Sequence, residues 1–240
     1  MAGVEHFGER INYGRYGYRL SRDTYALINK RSSTYSRRED VGEAAWAAWD
    51  WMYEDDEHRV HTDEWCALQR EAALENFDLN MAFFAQIDPE AFEAALEQML
   101  VKTKQLRLVE DLRMLDGVAG AYVMVLDEYR QVYIGSAWDI RKRIKQHWAG
   151  TKEFDRLIWG GKHQSVLSID SFRALDTTRI FAAGTVNGFE LEERLERNFP
   201  PDYALNRVGG GEITGFRSLF IAGEVKRRGL VPVEEASTES

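Results

Sequence analysis

The residues with the clearest chemical potential lie between positions 122 and 147, where two tyrosines precede an arginine and a histidine. Tyr122 and Tyr133 each lie in an apolar run typical of a β-strand, and a polar turn separates the runs. If that turn has two or four residues, strand pairing puts both phenols on one face, about 5–8 Å apart. Arg143 and His147 are four residues apart, so they share one face of the helix that follows. A guanidinium and an imidazole beside two phenols favour a phosphate-binding site over an ordinary core.

These residues resemble the motifs of the GIY-YIG nuclease superfamily. Residues 120–122 read Gly-Ala-Tyr, with Ala in place of the usual Ile, and residues 133–135 read Tyr-Ile-Gly, which is the second motif intact. The match places the family arginine at Arg143, ten residues after Tyr133, and His147 at a position where many members carry His or Tyr. The resemblance covers about residues 117–208.

Downstream, the resemblance implies one essential glutamate on a helix, followed by a proline and an asparagine, here Glu192, Pro201 and Asn206. Three other acids compete for the glutamate position: Glu190, Glu193 and Glu196. Glu192 is preferred because the family glutamate precedes an apolar helix residue by three, as Glu192 precedes Leu195, and Glu193 is the second choice.

The resemblance implies a divalent-metal-dependent endonuclease that hydrolyses phosphodiester bonds in DNA. Glu192 would hold one Mg²⁺ or Mn²⁺ ion that keeps most of its waters. Arg143 would bind a phosphate oxygen, and His147 would add to the positive field of the pocket. One of the two tyrosines would help to activate the attacking water, with neither preferred, and Asn206 would tie the elements of the site together.

The elements that must position these residues belong to the second half of the chain, which predicts strands near 121–126, 132–134 and 179–186. Helices are expected from Asp139, which can cap a helix over 140–148, and over 189–199. We therefore predict an α+β fold, in which a GIY-YIG-like domain at 117–230 has a small antiparallel three-stranded sheet flanked by helices. Before it, residues 1–116 predict a mostly helical domain of unknown role, and residues 231–240 predict a disordered acidic tail.

Two helix starts in the first half have clear capping signals. Thr62 precedes a helix whose first turn is acidic, and Asp88 followed by Pro89 predicts another helix that runs to about residue 115. His58 and His61 lie three apart in an acidic turn, where either a metal site or a solvated loop is expected.

Charge and composition set limits on the class of protein. The 240 residues carry 31 basic and 40 acidic side chains, and 44% of them are hydrophobic, which indicates a folded protein without a run long enough to span a membrane. The net charge of -9 argues against a generic nucleic-acid coat protein, although residues 117–230 alone carry 17 basic and 14 acidic side chains. A single cysteine, Cys66, excludes an intramolecular disulfide and favours the cytoplasm.

Two alternatives remain open beside the nuclease. One is a non-catalytic nucleic-acid-binding module that retains the GIY-YIG fold. The other is a protein-interaction module in which the acidic helical half makes the interaction. The sequence predicts no oligomeric state.

Overall fold

A four-stranded antiparallel sheet is the centre of the computed structural model, which describes residues 3–31, 37–150 and 167–207. Its strands lie in the order β3-β6-β4-β5. A separate two-stranded hairpin, β1-β2, lies near the N-terminus. The strands are β1 Val4–His6, β2 Glu9–Ile11, β3 Arg107–Leu108, β4 Gly120–Leu126, β5 Gln131–Ala137 and β6 Arg179–Gly184.

The helices of the described residues surround these sheets. They are α1 Arg22–Tyr25, α2 Arg38–Val41, α3 Glu43–Trp49, α4 Asp63–Gln86, α5 Pro89–Lys102, α6 Ile140–Ala149 and α7 Gly188–Asn198. This mixture of helices with small antiparallel sheets agrees with the predicted α+β class.

The predicted helix starts are confirmed by their caps. The Thr62 side chain accepts a hydrogen bond from the N–H of Trp65 at the start of α4, and the Asp88 side chain accepts one from Glu90 at the start of α5. Asp139 caps α6 by accepting from the N–H of Lys142. Each cap satisfies a backbone donor that the first helical turn leaves free.

The expected three-stranded sheet and the expected end of α5 are both wrong. Helix α5 ends at Lys102, and the chain then extends through β3, which adds a fourth strand by pairing with β6. Leu106 and Val109 continue the apolar spacing of α5, yet they are buried from an extended segment. Spacing alone could not separate the two cases, because both conformations bury those side chains.

The hairpin β4-β5 has the longer of the two predicted turns. Leu126 pairs with Gln131, so four residues connect the strands, and Arg130 at the end of the turn has φ +52°. Strand β4 lies between β5 and β6 and is buried along its whole length, which explains its uninterrupted apolar sequence.

One apolar core joins residues on both sides of position 116. Leu96 and Leu112 pack in the same cluster as the strand residues Val123 and Ile180. The described residues all fall in one compact unit, Met1–Val208. Whether residues 117–230 fold without residues 1–116 stays a prediction.

Several expectations fall outside the described residues: the acidic tail at 231–240 and the part of the 117–230 domain that lies beyond residue 207. Within the three described ranges, no helix combines the length and apolarity needed to cross a lipid bilayer.

Candidate active site

The tyrosine pair lies on one face of the β4-β5 hairpin, which confirms the predicted arrangement. Tyr122 pairs with Gly135 and Met124 pairs with Tyr133, so the two phenols are diagonal neighbours. Their ring centroids are 6.2 Å apart. Tyr122 is fully buried, whereas Tyr133 is half-buried, so Tyr133 is the member of the pair that meets solvent.

Gly135 provides the space that the Tyr122 ring occupies. A Cβ atom on Gly135 would lie 2.6 Å from the hydroxyl oxygen of Tyr122 and 3.0 Å from a ring carbon of Tyr133. Both distances are far shorter than van der Waals contact, so a larger residue here would displace the phenols. The glycine of the second motif is therefore needed for close packing.

Helix α6 brings His147 into contact with both tyrosines. Ile140, Ile144 and Trp148 bury one stripe of the helix, and His147 beside them is only 1% exposed. Its Nε2 atom lies 2.8 Å from the Tyr122 hydroxyl, and its ring meets Tyr133 edge-on at 5.0 Å between centroids. The predicted neighbourhood of His147 and the two tyrosines is thus confirmed.

A carboxylate that sequence reasoning missed completes the surroundings of His147. Asp170 lies in the short 3-10 turn Ile169–Ser171, and its Oδ1 atom is 2.5 Å from Nδ1 of His147. Both ring nitrogens of this buried histidine therefore have partners, as a buried polar group requires. No spacing rule links position 170 to position 147, so only the fold reveals the contact.

Arg143 lies one helical turn before His147, with its guanidinium beside both phenols and its side chain open to solvent. Burial raises the pKa of the Tyr122 hydroxyl well above its usual value, Tyr133 adds to the rise, and Arg143 opposes it. Burial likewise raises the pKa of Tyr133, against the influence of Arg143. Both phenols are therefore neutral near neutral pH, and Arg143 is the cation that favours their ionised form.

Helix α7 places Glu192 close enough to act electrostatically on both tyrosines. The side chains of Leu191 and Leu195 on this helix are buried. Gly188 lets the helix lie close to β4, because a Cβ there would lie 2.8 Å from the backbone of Gly120. Glu192 is half-buried and accepts a hydrogen bond from the Ser136 hydroxyl, a contact that sequence reasoning also missed.

The competing acids on α7 differ from Glu192 in their surroundings. Glu193 is exposed, whereas Glu192 acts electrostatically on both tyrosines. Glu196 is half-buried, and its pKa is raised by burial and by the charge of Glu192. The geometry thus favours Glu192 over Glu193 as the carboxylate of the pocket.

Asn206 holds the outer edge of β5 through hydrogen bonds of its side chain. Its carboxamide accepts a hydrogen bond from the N–H of Ile134 at 2.8 Å and donates to the Ile134 carbonyl at 2.7 Å. It also donates to Glu196 at 2.6 Å, which links β5 to α7. Along the same edge, the carbonyl of Asp202 accepts from Gln131. Asn206 therefore has the connecting contacts that the resemblance implied.

The donor set near the tyrosines fits a lightly coordinated metal ion. In the described part of the chain, no group of three or more His, Cys, Asp or Glu side chains gathers as a ligand cluster. Glu192 offers a half-buried carboxylate, which suits Mg²⁺ because that ion keeps several waters.

His58 and His61 form neither the metal site nor the solvated loop that were expected. Both are buried, at 5% and 7% exposed, and their rings stack on opposite sides of Tyr53 at centroid distances of 4.4 and 4.6 Å. Aromatic packing removes these imidazoles from solvent, a result that the acidic surrounding sequence concealed.

The resemblance to the GIY-YIG superfamily depends on the motif residues alone. Comparisons of the chain with models of known families, with curated proteins and with solved structures gave no match.

Proposed function

We propose that this protein is a divalent-metal-dependent endonuclease that hydrolyses phosphodiester bonds in DNA, similar to GIY-YIG nucleases. The observation that supports it best is that four motif residues from three separate elements lie together: Tyr122 on β4, Tyr133 on β5, and Arg143 and His147 on α6. Glu192 on α7 is close enough to act electrostatically on both phenols. A tyrosine pair, a cation and a half-buried carboxylate supply the groups that phosphodiester hydrolysis requires.

Arg143 is the proposed phosphate ligand. Its guanidinium can hold a non-bridging oxygen through two N–H donors and so offset the charge that develops on phosphorus. Its exposure leaves that face free for a substrate, while the phenols hold the other side. Tyr133 is the proposed neighbour of the attacking water, because it is the half-buried member of the pair and lies beside Arg143.

Glu192 is the proposed metal ligand, for Mg²⁺ or Mn²⁺. A bound ion would neutralise negative charge on the phosphate and the leaving oxygen. The Ser136 hydroxyl orients the carboxylate, and the nearby Glu196 adds negative charge that attracts a cation.

The proposed substrate is DNA, and the proposed location of the protein is the cytoplasm. The excess of basic side chains between 117 and 230 favours a polyanion, whereas the acidic residues 1–116 repel it. We therefore assign to residues 1–116 a role in targeting or assembly.

A comparison of three variants tests the function, with nicking of supercoiled plasmid and gel-shift affinity measured at fixed salt. Glu192→Ala should lower nicking by about 1000-fold or more and leave DNA affinity unchanged or slightly higher. Arg143→Ala should lower nicking by about 100- to 1000-fold and weaken affinity as well. Glu193→Ala, the matched control on the same helix, should nick normally.

The outcomes separate the proposal from its alternatives. Full nicking by Glu192→Ala with an inactive Glu193→Ala would move the ligand by one residue. DNA binding without nicking in Mg²⁺ or Mn²⁺ would support the non-catalytic binding module instead. An absence of DNA binding would favour the protein-interaction module.

A further inference from the structure

His147 lies between a carboxylate and a phenol, and the carboxylate sets the direction of both hydrogen bonds. The Asp170 carboxylate, 2.5 Å from Nδ1, accepts, so Nδ1 carries the ring proton. In the neutral ring Nε2 is then an acceptor, and the Tyr122 hydroxyl 2.8 Å away donates to it. The Tyr122 oxygen keeps its lone pairs for a donor, and the guanidinium of Arg143 is the cation that acts on that phenol.

We propose that Asp170 is a positioning residue of this site, which acts through His147 and Tyr122 to hold the guanidinium of Arg143. The inference depends on the proposed function for its catalytic meaning, whereas the directions of the two His147 hydrogen bonds follow from its distances to Asp170 and Tyr122. Asp170 fixes the Nδ1–H tautomer of His147, and that tautomer keeps the Tyr122 oxygen as an acceptor for Arg143.

The alternative tautomer shows why the direction matters. With the proton on Nε2, His147 would donate to the Tyr122 oxygen and compete with Arg143 for its lone pairs. The Tyr122 proton would then have to find another acceptor in a fully buried position, which is costly. A carboxylate next to Nδ1 prevents both effects, much as the partner carboxylate of a metal-bound histidine selects its tautomer.

The burial of His147 and Tyr122 makes their hydrogen bonds persistent. His147 and Tyr122 are 1% and 0% exposed, so water does not exchange their hydrogen bonds. Among the described residues, the titratable groups facing this histidine are Tyr122 on β4, Tyr133 on β5, Arg143 on α6 and Asp170 on the 3-10 turn. Glu192 on α7 acts electrostatically on the two phenols. Arg143 and Asp170 carry opposite charges on the two sides of the His147–Tyr122 pair.

The tautomer is the first measurement, because it does not depend on catalysis. Nitrogen-15 NMR of labelled wild-type protein at neutral pH should show His147 as the neutral Nδ1–H form. Asp170→Asn, which keeps the side-chain shape, should reduce the preference for that form. A resting Nε2–H ring or a doubly protonated ring in the wild type would overturn the proposal even if the protein is a nuclease.

A double-mutant cycle is the second measurement. Asp170→Asn should lower kcat for nicking by about 10- to 100-fold and weaken DNA affinity in the same direction as Arg143→Ala. In a His147→Ala background the same change should have almost no further effect, because Asp170 acts through that ring. Asp202→Asn, an exposed control, should match the wild type in nicking and affinity.

The remaining outcomes are equally distinct. Independent, additive losses from Asp170→Asn and His147→Ala would overturn the positioning role, as would normal nicking by a correctly folded Asp170→Asn protein. A wild-type protein that shows the Nδ1–H tautomer without nicking DNA would refute the proposed function and leave the hydrogen-bond chain intact.

Discussion

Two buried histidines in different parts of the chain each contact an aspartate, but only one of them also contacts a second polar side chain. In the sheet region, His147 lies 2.5 Å from Asp170 and also contacts the Tyr122 hydroxyl. In the helical region, His58 lies 2.8 Å from Asp50, and its second nitrogen has no hydrogen-bond partner among the residues that the structure describes. The same pair of residue types is therefore part of a polar chain in one place and of an apolar stack in the other.

The flat faces of the His58 ring account for the difference. Trp46 stacks on one face at 3.8 Å and Tyr53 on the other at 4.4 Å, both within 10° of parallel. His58 also has φ +54°, a backbone conformation that costs free energy for a residue with a Cβ and requires support from packing. A His–Asp contact alone is thus no evidence of a catalytic role. The partner of the second ring nitrogen must be identified as well.

The largest expected difference between the two histidines is in activity. His147→Ala should lower nicking by about 100-fold, since the Tyr122 hydroxyl loses its acceptor and Arg143 its support. His58→Ala should stay within about twofold of the wild type in the folded fraction, as measured by the same plasmid assay. Equal losses from the two variants, at equal folded fractions, would remove the functional distinction.

The next largest effect should be on stability, where the loss is expected at His58. His58→Ala should lower the free energy of unfolding by about 2–4 kcal/mol, because it opens a cavity between Trp46 and Tyr53. His58→Asn should recover little of this loss: asparagine tolerates the positive φ but cannot fill the space between the rings. Urea unfolding followed by tryptophan fluorescence measures both, and a fully stable His58→Ala protein would contradict the structural role.

A third aspartate, Asp176, is fully buried and gives the smallest expected effect. It has no histidine and accepts hydrogen bonds from the N–H groups of Leu20 and Arg173 at 2.8 and 2.7 Å. Burial raises its pKa above the ordinary value. Its contribution to stability is therefore fully present below the unfolded-state pKa of about 3.9 and declines as pH rises through the folded-state pKa.

Asp176→Asn should remove that pH dependence and keep the two backbone hydrogen bonds, because the amide oxygen can still accept from both N–H groups. The Tyr129 hydroxyl, which donates to the other carboxylate oxygen at 3.3 Å, can accept from the amide NH2 group instead. Unfolding free energies of both proteins, measured from about pH 3 to 6, should show the wild type losing stability relative to the variant as pH rises. Parallel curves would mean that Asp176 has the same pKa in the folded and unfolded chains.

The parts of the fold that the sequence predicted are those with local causes. Asp139 caps α6, and the apolar run of β4 is typical of a central strand, so the shared face of Tyr122 and Tyr133 followed from pairing. The strand β3 was missed because two residues carry no pattern of their own. Asp170 and the His58 stack were missed because each depends on contacts between distant segments, which spacing does not encode.

Asn206 also bears on how the protein behaves in a crowded solution. Strand β5 is the last strand of its sheet, and an open strand edge is a template for pairing with another chain. The Asn206 carboxamide occupies both backbone groups of Ile134 as a neighbouring peptide would, and Ala204 bridges to Val132 beside it. The same contacts that join β5 to α7 therefore occupy this edge at Val132 and Ile134, so we expect Asn206 to oppose intermolecular β-pairing there.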